Sequence, residues 1–245
     1  MSKEGFCLVV FLLGGVGRKT ITCYFQAMQI KVLYEDNHLI AVYKPAGILV
    51  QGDKSGDISM IEEVKMHIKQ KYEKPGNVFL GLVHRLDRNV DGIVLFAKTS
   101  KGASRISEQF RNHTVRKEYH AWVHGIVKDK SATLVNFLKH DENQNYSEVF
   151  DKEVVGADRA ELSYELVKTD EDFSLLKIIL KTGRHHQIRA QLSHIGHPIV
   201  GDSKYGSTVR LTDQKIALTA TSLSFETATT KEQKVVTLEI PEKSW

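Results

Sequence analysis

The residues Gly81-Leu82-Val83-His84-Arg85-Leu86-Asp87-Arg88-Asn89-Val90-Asp91-Gly92-Ile93-Val94-Leu95-Phe96-Ala97-Lys98 decide how this chain is read. The apolar run 78–83 leads into a packet of His, Arg and Asp. An Asp-Gly pair then suggests a turn, and a second apolar run covers 93–97. Two short apolar runs around a turn read as neighbouring strands. Charged groups in such a connection are held by the sheet while one side stays open to solvent, a common setting for catalysis. Asp87 is the candidate working residue, and a salt-bridged turn is the alternative.

Upstream, 30–34 and 39–43 read as strands joined at Glu35-Asp36-Asn37, and Lys44-Pro45-Ala46-Gly47 breaks the pattern as a loop. Ser59 and Glu62 have capping-box spacing, and Met60, Ile61, Val64 and Ile68 recur at helical intervals, which predicts a helix over 59–72. Downstream, Ser100 is placed to cap a helix whose apolar side holds Ala103, Ile106 and Phe110. The range 115–127 alternates as a strand, and 128–159 reads as a polar, strand-poor excursion. The ranges 162–167 and 173–180 form another antiparallel pair. A helix follows with Ile188, Leu192 and Ile195 inward and Gly196 as its stop, and short strands near 216–220, 222–226 and 234–240 finish the chain. Hairpins outnumber strand–helix alternation. The fold class is therefore α+β, with a mixed, mostly antiparallel sheet flanked by helices.

The bulk numbers fit one domain that needs no staples: 245 residues, 41% hydrophobic and 26% charged. The 2 cysteines, Cys7 and Cys23, precede residue 31, so no disulfide framework or Cys-based zinc site is available beyond it. A net charge of +4 suits an anionic partner without requiring one. Residues 1–28 read as an extension ahead of a domain over 29–245. Their apolar run is too short to span a membrane, and Gly14-Gly15-Val16-Gly17-Arg18-Lys19-Thr20 lacks the spacing of a phosphate-binding loop. The protein is expected to be cytoplasmic and monomeric. Between 98 and 117 the basic residues Lys98, Lys101, Arg105, Arg111, Arg116 and Lys117 face Glu108 alone, either as a solvated helix face or as a phosphate-contacting surface.

At this point the chain resembles the RluA-type pseudouridine synthases. His84-Arg85-Leu86-Asp87, with Gly92 and Ala97-Lys98 after it, is similar to that family's catalytic motif. Lys44-Pro45-Ala46-Gly47-Ile48 and Lys117-Glu118-Tyr119-His120-Ala121-Trp122-Val123-His124-Gly125 are similar to two further motifs. Gly183-Arg184-His185-His186-Gln187-Ile188-Arg189 through Gly196-His197-Pro198-Ile199-Val200-Gly201-Asp202 and Tyr205-Gly206 are similar to a fourth segment. The likeness covers about residues 30–240, and it is the order of the four segments that makes it specific. It implies isomerisation of uridine in rRNA or tRNA without cofactor or metal. Asp87 would be the catalytic aspartate, Tyr119 the active-site tyrosine, Arg189 the counter-ion and Ile188 a wall of the uracil pocket. His84, Arg85, Arg184, Lys98, Arg105 and Arg111 are the expected RNA contacts.

Val90-Asp91 stand where the family usually has Thr-Ser, and His185 where it commonly has Thr. An acid four residues past Asp87 would raise the Asp87 pKa if the two carboxylates approached. Two other readings stay open. One is an RNA-binding domain of the same fold with little turnover. The other is a metal-dependent phosphodiesterase built on His185, His186, His194 and His197 near Asp87.

Overall fold

Alternating and continuous apolar runs build most of the chain into a single branched sheet. The structure is a computed structural model describing residues 29–54, 56–243 and 245. The apolar and glycine-rich stretch of 6–20 lies outside the described residues. In chain order the elements are β1 (Val32–Glu35), β2 (Leu39–Lys44), α1 (Met60–Lys71), β3 (Gly81–Leu82), β4 (Asp91–Ala97), α2 (Ser100–Arg111), β5 (Arg116–His124), β6 (Ser131–Asp141), β7 (Tyr146–Phe150), β8 (Asp158–Asp170), β9 (Phe173–Leu180), α3 (Gln187–His194), β10 (Leu218–Glu226) and β11 (Gln233–Thr237). The strands run in the order β1-β2-β4-β10-β5-β9-β8-β6-β7, with β3 added to β4 and β11 to β10. Among the described strands only β4 and β10 pair parallel, so the mixed, mostly antiparallel α+β architecture expected from the hairpins is present.

The two runs of the opening stretch do pair. Gly81 sits opposite Ala97 and Leu82 opposite Phe96, which makes residues 83–90 their connection. The turn comes earlier than Asp91-Gly92. The Val90 N–H donates to the Asp87 carbonyl at 3.1 Å, and Asp91 and Gly92 already belong to β4. Gly92 is required by proximity rather than by a turn. Its φ is 128°, and a Cβ there would lie 2.4 Å from the Ala220 carbonyl oxygen on β10.

β4 is buried along its whole length, which is why its sequence is a continuous apolar run rather than an alternation. One face of the sheet packs Val94, Phe96, Trp122, Leu176 and Ile188 with α1 residues Met60, Val64 and Ile68. The other packs Leu39, Ile93, Leu95 and Phe225 against Ile106 of α2. Each such side chain contributes about 1.5–3 kcal/mol when fully buried. The Ser59–Glu62 capping box forms as expected. The cap of α2 is Thr99, not Ser100: its hydroxyl accepts from the Gly102 N–H at 3.1 Å.

The range 128–159 is not strand-poor, for it carries β6 and β7. The inward positions of β6 are Ala132, Leu134, Asn136 and Leu138, a period of two interrupted by a polar residue. Asn136 is buried because its amide is satisfied on both sides: Oδ1 accepts from Gln191 at 2.7 Å, and Nδ2 donates to Asp151 at 3.1 Å. Ranges 216–220 and 222–226 likewise merge into the single strand β10, with a register shift between Ala220 and Ser222.

Candidate active site

The 83–90 connection is held to the sheet by Lys44 and His84. Lys44 is fully buried, and its Nζ donates to the carbonyls of Pro45 at 3.0 Å, Ile48 at 2.8 Å and Arg88 at 3.1 Å. The Gly47 N–H also donates to the Arg88 carbonyl, at 2.8 Å. Burial pulls the Lys44 pKa down to about 8 against the opposing pull of Asp91 and Asp87. The Lys-Pro-Ala-Gly segment is thus a clamp on the connection. His84 does similar work from the other end. Its Nε2 accepts the Leu95 N–H at 2.9 Å and its ring stacks on Phe110 at 4.9 Å. Burial lowers its pKa to about 3, so the ring is neutral and carries its proton on Nδ1. His84 lines the cavity described below, but the nitrogen that would accept from a ligand is already occupied.

With the connection fixed, Asp87 sits a third exposed (33%) at the wall of a cavity of about 1010 Å³. Arg189 comes from α3. Its Nη1 lies 3.1 Å from Asp87 Oδ2, while Nε and Nη2 take both oxygens of Asp202, at 2.6 and 2.9 Å. Arg189 and Asp202 are both buried, and the guanidinium lies 5.1 Å from the centre of the Tyr205 ring. Burial opposes the charge on Arg189, but the hydrogen bonds and charge of Asp202, then Asp87, hold its pKa above the usual value. A buried ion pair persists only with such complete pairing. Tyr119 on β5 and Ile188 on α3 supply the adjoining aromatic and aliphatic walls. Burial first, then the Asp87 charge, pushes the Tyr119 hydroxyl pKa well above its ordinary value.

Arg85 and Arg184 also line the cavity. Arg85 is exposed and forms no hydrogen bond or ion pair among the described residues, whereas Arg184 donates to the Arg159 carbonyl at 3.2 Å and lies 3.5 Å from Asp158. Lys117, the last residue of the basic run, also lines it.

Lys98, Arg105 and Arg111 do not line the cavity. Lys98 is nearly buried and ion-paired with Glu35 at 2.6 Å, with a second bond to the Asp36 carbonyl at 2.8 Å. Arg105 donates to the Ala228 carbonyl, and Arg111 is exposed at the end of α2. The run of positive charge in the sequence is therefore divided among the cavity, unrelated structural bonds and exposed side chains such as Lys101 and Arg111.

Asp91 is turned into the sheet. It accepts from Thr219 at 2.6 Å and Tyr43 at 3.2 Å, pairs with Lys215 at 3.0 Å and takes no part in lining the cavity. Of the histidines of the phosphodiesterase reading only His185 and His186 meet, with ring centres 3.7 Å apart; the four do not converge on one point. His194 bonds Asp151 at 2.9 Å, His197 bonds the His124 carbonyl at 2.8 Å, and His185 bonds Ser147 at 2.9 Å. Among the described residues no group of three or more His, Cys, Asp or Glu is placed to hold a metal ion, and no helix is long and apolar enough to cross a membrane.

Sequence reasoning assigned no role to Lys44, Asp202 or Tyr205, and took His186 only as a metal ligand of the phosphodiesterase reading.

Comparisons with known proteins give the family and the fold. A family model described as RNA pseudouridylate synthase matches residues 38–194. A ribosomal large subunit pseudouridine synthase C from Buchnera aphidicola subsp. Acyrthosiphon pisum is 36% identical over 176 residues, which cover 72% of this chain and 54% of the relative. The tRNA pseudouridine synthase C of Salmonella typhimurium is 33% identical over 191 residues, covering 72% of this chain and 70% of the relative. The chain thus matches about half the length of the first and more than two thirds of the second. The solved structure of human RNA Pseudouridylate Synthase Domain Containing 4 superposes with a TM-score of 0.72 at 20% identity, over 86% of this chain and 88% of that one, a likeness of fold. By the family match and the identity to these relatives, the chain belongs to the RNA pseudouridylate synthase family.

Proposed function

We propose that this chain isomerises uridine in rRNA or tRNA to pseudouridine, with Asp87 as the catalytic carboxylate. The observation that carries the reading is the Asp87–Arg189 contact at 3.1 Å, opening on a cavity lined by Tyr119 and Ile188. The names of the relatives, ribosomal and tRNA synthases, supply the two RNA classes.

The reaction breaks the N1–C1′ bond of uridine, turns the base and joins C5 to C1′; a proton leaves C5 and one is gained at N1. No atom or electron is lost overall, so side chains and solvent suffice. Asp87 acts on C1′ directly or removes the C2′ proton, and both roles need an ionised carboxylate. Arg189 supplies the opposite charge that keeps it so, and Asp202 keeps Arg189 pointing at it. Tyr119 gives the base a flat partner and sets a hydroxyl that stays protonated near C5, while Ile188 closes the pocket and excludes water. Flipping a uridine out costs a few kcal/mol in a duplex and less in a loop, so looped uridines are the favoured substrates. Arg85 and Arg184 meet the phosphate backbone at the rim. The chain acts as a monomer in the cytoplasm, and residues 29–245 are sufficient because every residue named here lies in that range.

The test is to incubate the purified protein with total cellular RNA and map new pseudouridine. Wild type modifies discrete sites, and Asp87→Asn binds RNA without modifying it. Equal modification by Asp87→Asn would remove Asp87 from the chemistry, and absence of modification by wild type would remove the proposed activity.

A further inference from the structure

We propose that His186 is a positioning residue for Asp87, a neutral imidazole whose Nε2–H is aimed at the carboxylate by Tyr205. The inference rests on the reading of Asp87 given above.

His186 is buried, and its Nε2 lies 3.6 Å from Asp87 Oδ2. That is just beyond a hydrogen bond, and catalytic contacts of this kind commonly tighten only when substrate is bound. Arg189 Nη1 approaches the same oxygen, Oδ2, at 3.1 Å. Oδ1 has no hydrogen-bond partner among the described residues. Two donors on one oxygen fix the plane of the carboxylate and leave the other oxygen for the ribose.

The tautomer follows from the partners of Tyr205. Its hydroxyl accepts the Ser147 N–H at 2.8 Å and lies 3.1 Å from His186 Nδ1. A backbone N–H only donates, so the one hydroxyl hydrogen is left for His186, where Nδ1 accepts it and the ring proton sits on Nε2. The opposite tautomer would set a lone pair against the Asp87 carboxylate and leave the hydroxyl hydrogen unused. Ser147 sets the neighbouring ring as well: its own hydroxyl donates to the His185 carbonyl at 2.7 Å and lies 2.9 Å from His185 Nδ1, which must therefore be the protonated nitrogen.

Protonation of His186 is disfavoured even though the Asp87 carboxylate lies 3.6 Å from Nε2. Burial is the largest cause, followed by Arg189, His185, Lys204 and His140, and together they lower its pKa to about 2. The ring thus donates to Asp87 without adding a charge that would weaken the carboxylate as a nucleophile or base. Its backbone is strained for this placement, with φ 52° and ψ 22°, the left-handed region that favours glycine.

The test uses the full chain and single-turnover rates on a looped RNA substrate, with nitrogen-15 NMR of the histidine rings. Wild type shows His186 as a neutral Nε2–H imidazole. His186→Ala lowers kcat by about 100-fold with KM unchanged, the scale of a misplaced reacting group. His186→Gln, whose amide nitrogen replaces Nε2–H, returns most of that loss. Tyr205→Phe keeps the ring under Arg189 but removes the hydroxyl; it mixes the His186 tautomers and lowers kcat by about tenfold. An Nδ1–H tautomer in wild type, unchanged kcat in Tyr205→Phe, or a Gln variant no better than Ala would overturn the proposal. Wild type modifying RNA and Asp87→Asn failing, with no response to these changes, would refute His186 alone and leave the activity standing.

Discussion

Arg189 reaches Asp87 with one nitrogen because Asp202 holds the other two. The Arg189–Asp202 contact is a two-point fork, at 2.6 and 2.9 Å, between groups that are almost wholly buried. It fixes the guanidinium plane and therefore the direction of Nη1. Asp202→Asn should release that plane. Removing one partner of a buried pair costs about 3–5 kcal/mol, and the misdirected Nη1 should lower kcat about 10- to 100-fold. Urea unfolding together with single-turnover rates checks both, and a variant with wild-type stability would show that the fork contributes nothing.

Asp91 is a sheet residue. Its bonds to Thr219, Tyr43 and Lys215 account for its carboxylate without reference to Asp87. Asp91→Asn keeps one acceptor, for Thr219, but turns an amide donor towards Tyr43, whose hydroxyl can rotate to accept it, and loses the ion pair, which is half exposed on the Lys215 side. Activity should stay within about threefold of wild type, with a stability loss of about 1 kcal/mol. A large gain in activity would mean that the acid does act on Asp87 after all.

Acid should unfold this protein through its neutral histidines. Burial is the main cause in each of His84, lowered to about 3, His185, lowered to about 4, and His186, lowered to about 2. Unfolded, each titrates near pH 6.5. Below that the unfolded chain binds protons that the folded chain refuses, so stability is full above pH 6.5 and falls as pH falls towards the folded values. His84 and His186 each contribute a slope of about 1.4 kcal/mol per pH unit, and the less buried His185 a smaller one. Urea midpoints at pH 7, 6 and 5 measure this; a flat profile from 6 to 5 would contradict it.

The rim arginine and the structural lysine separate binding from folding. Arg85→Ala should weaken RNA binding across sequences and reduce the salt slope by about 1. Lys98→Met should leave the slope alone and lower the melting temperature, since Lys98 is held by Glu35 and Asp36. Filter binding over a salt series distinguishes the two.

The sequence was most legible where one residue type had one use. β4 reads as a buried strand because all its positions are buried, and α1 reads as a helix because its capping box is local. Asp87, Tyr119, Ile188 and Arg189 were brought together by motif order alone, since no periodicity joins strand β5 to helix α3. Other features depended on partners far along the chain. β6 was hidden because Asn136, at an inward position, is satisfied by Gln191 and Asp151. Lys98 and Lys117 look alike in sequence, yet only Lys117 lines the cavity; the difference lies in Glu35, which no local pattern connects to Lys98. His186 carries no sequence signal apart from its neighbours, for its tautomer is set by Ser147 and Tyr205 on other elements.

The parallel pairing of β4 with β10 also governs when the site comes into being. Asp91 and Thr219, bonded across it, are 128 residues apart, and Asp87 and Arg189 are separated by 102. Contacts of such separation form late, after the entropy of closing long loops has been met. On the ribosome, β2 and β4 can pair as soon as they emerge, but nothing seats Gly92 against Ala220 until β10 has followed them. Until β10 is made, the chain carries Asp87 without the setting that holds its connection.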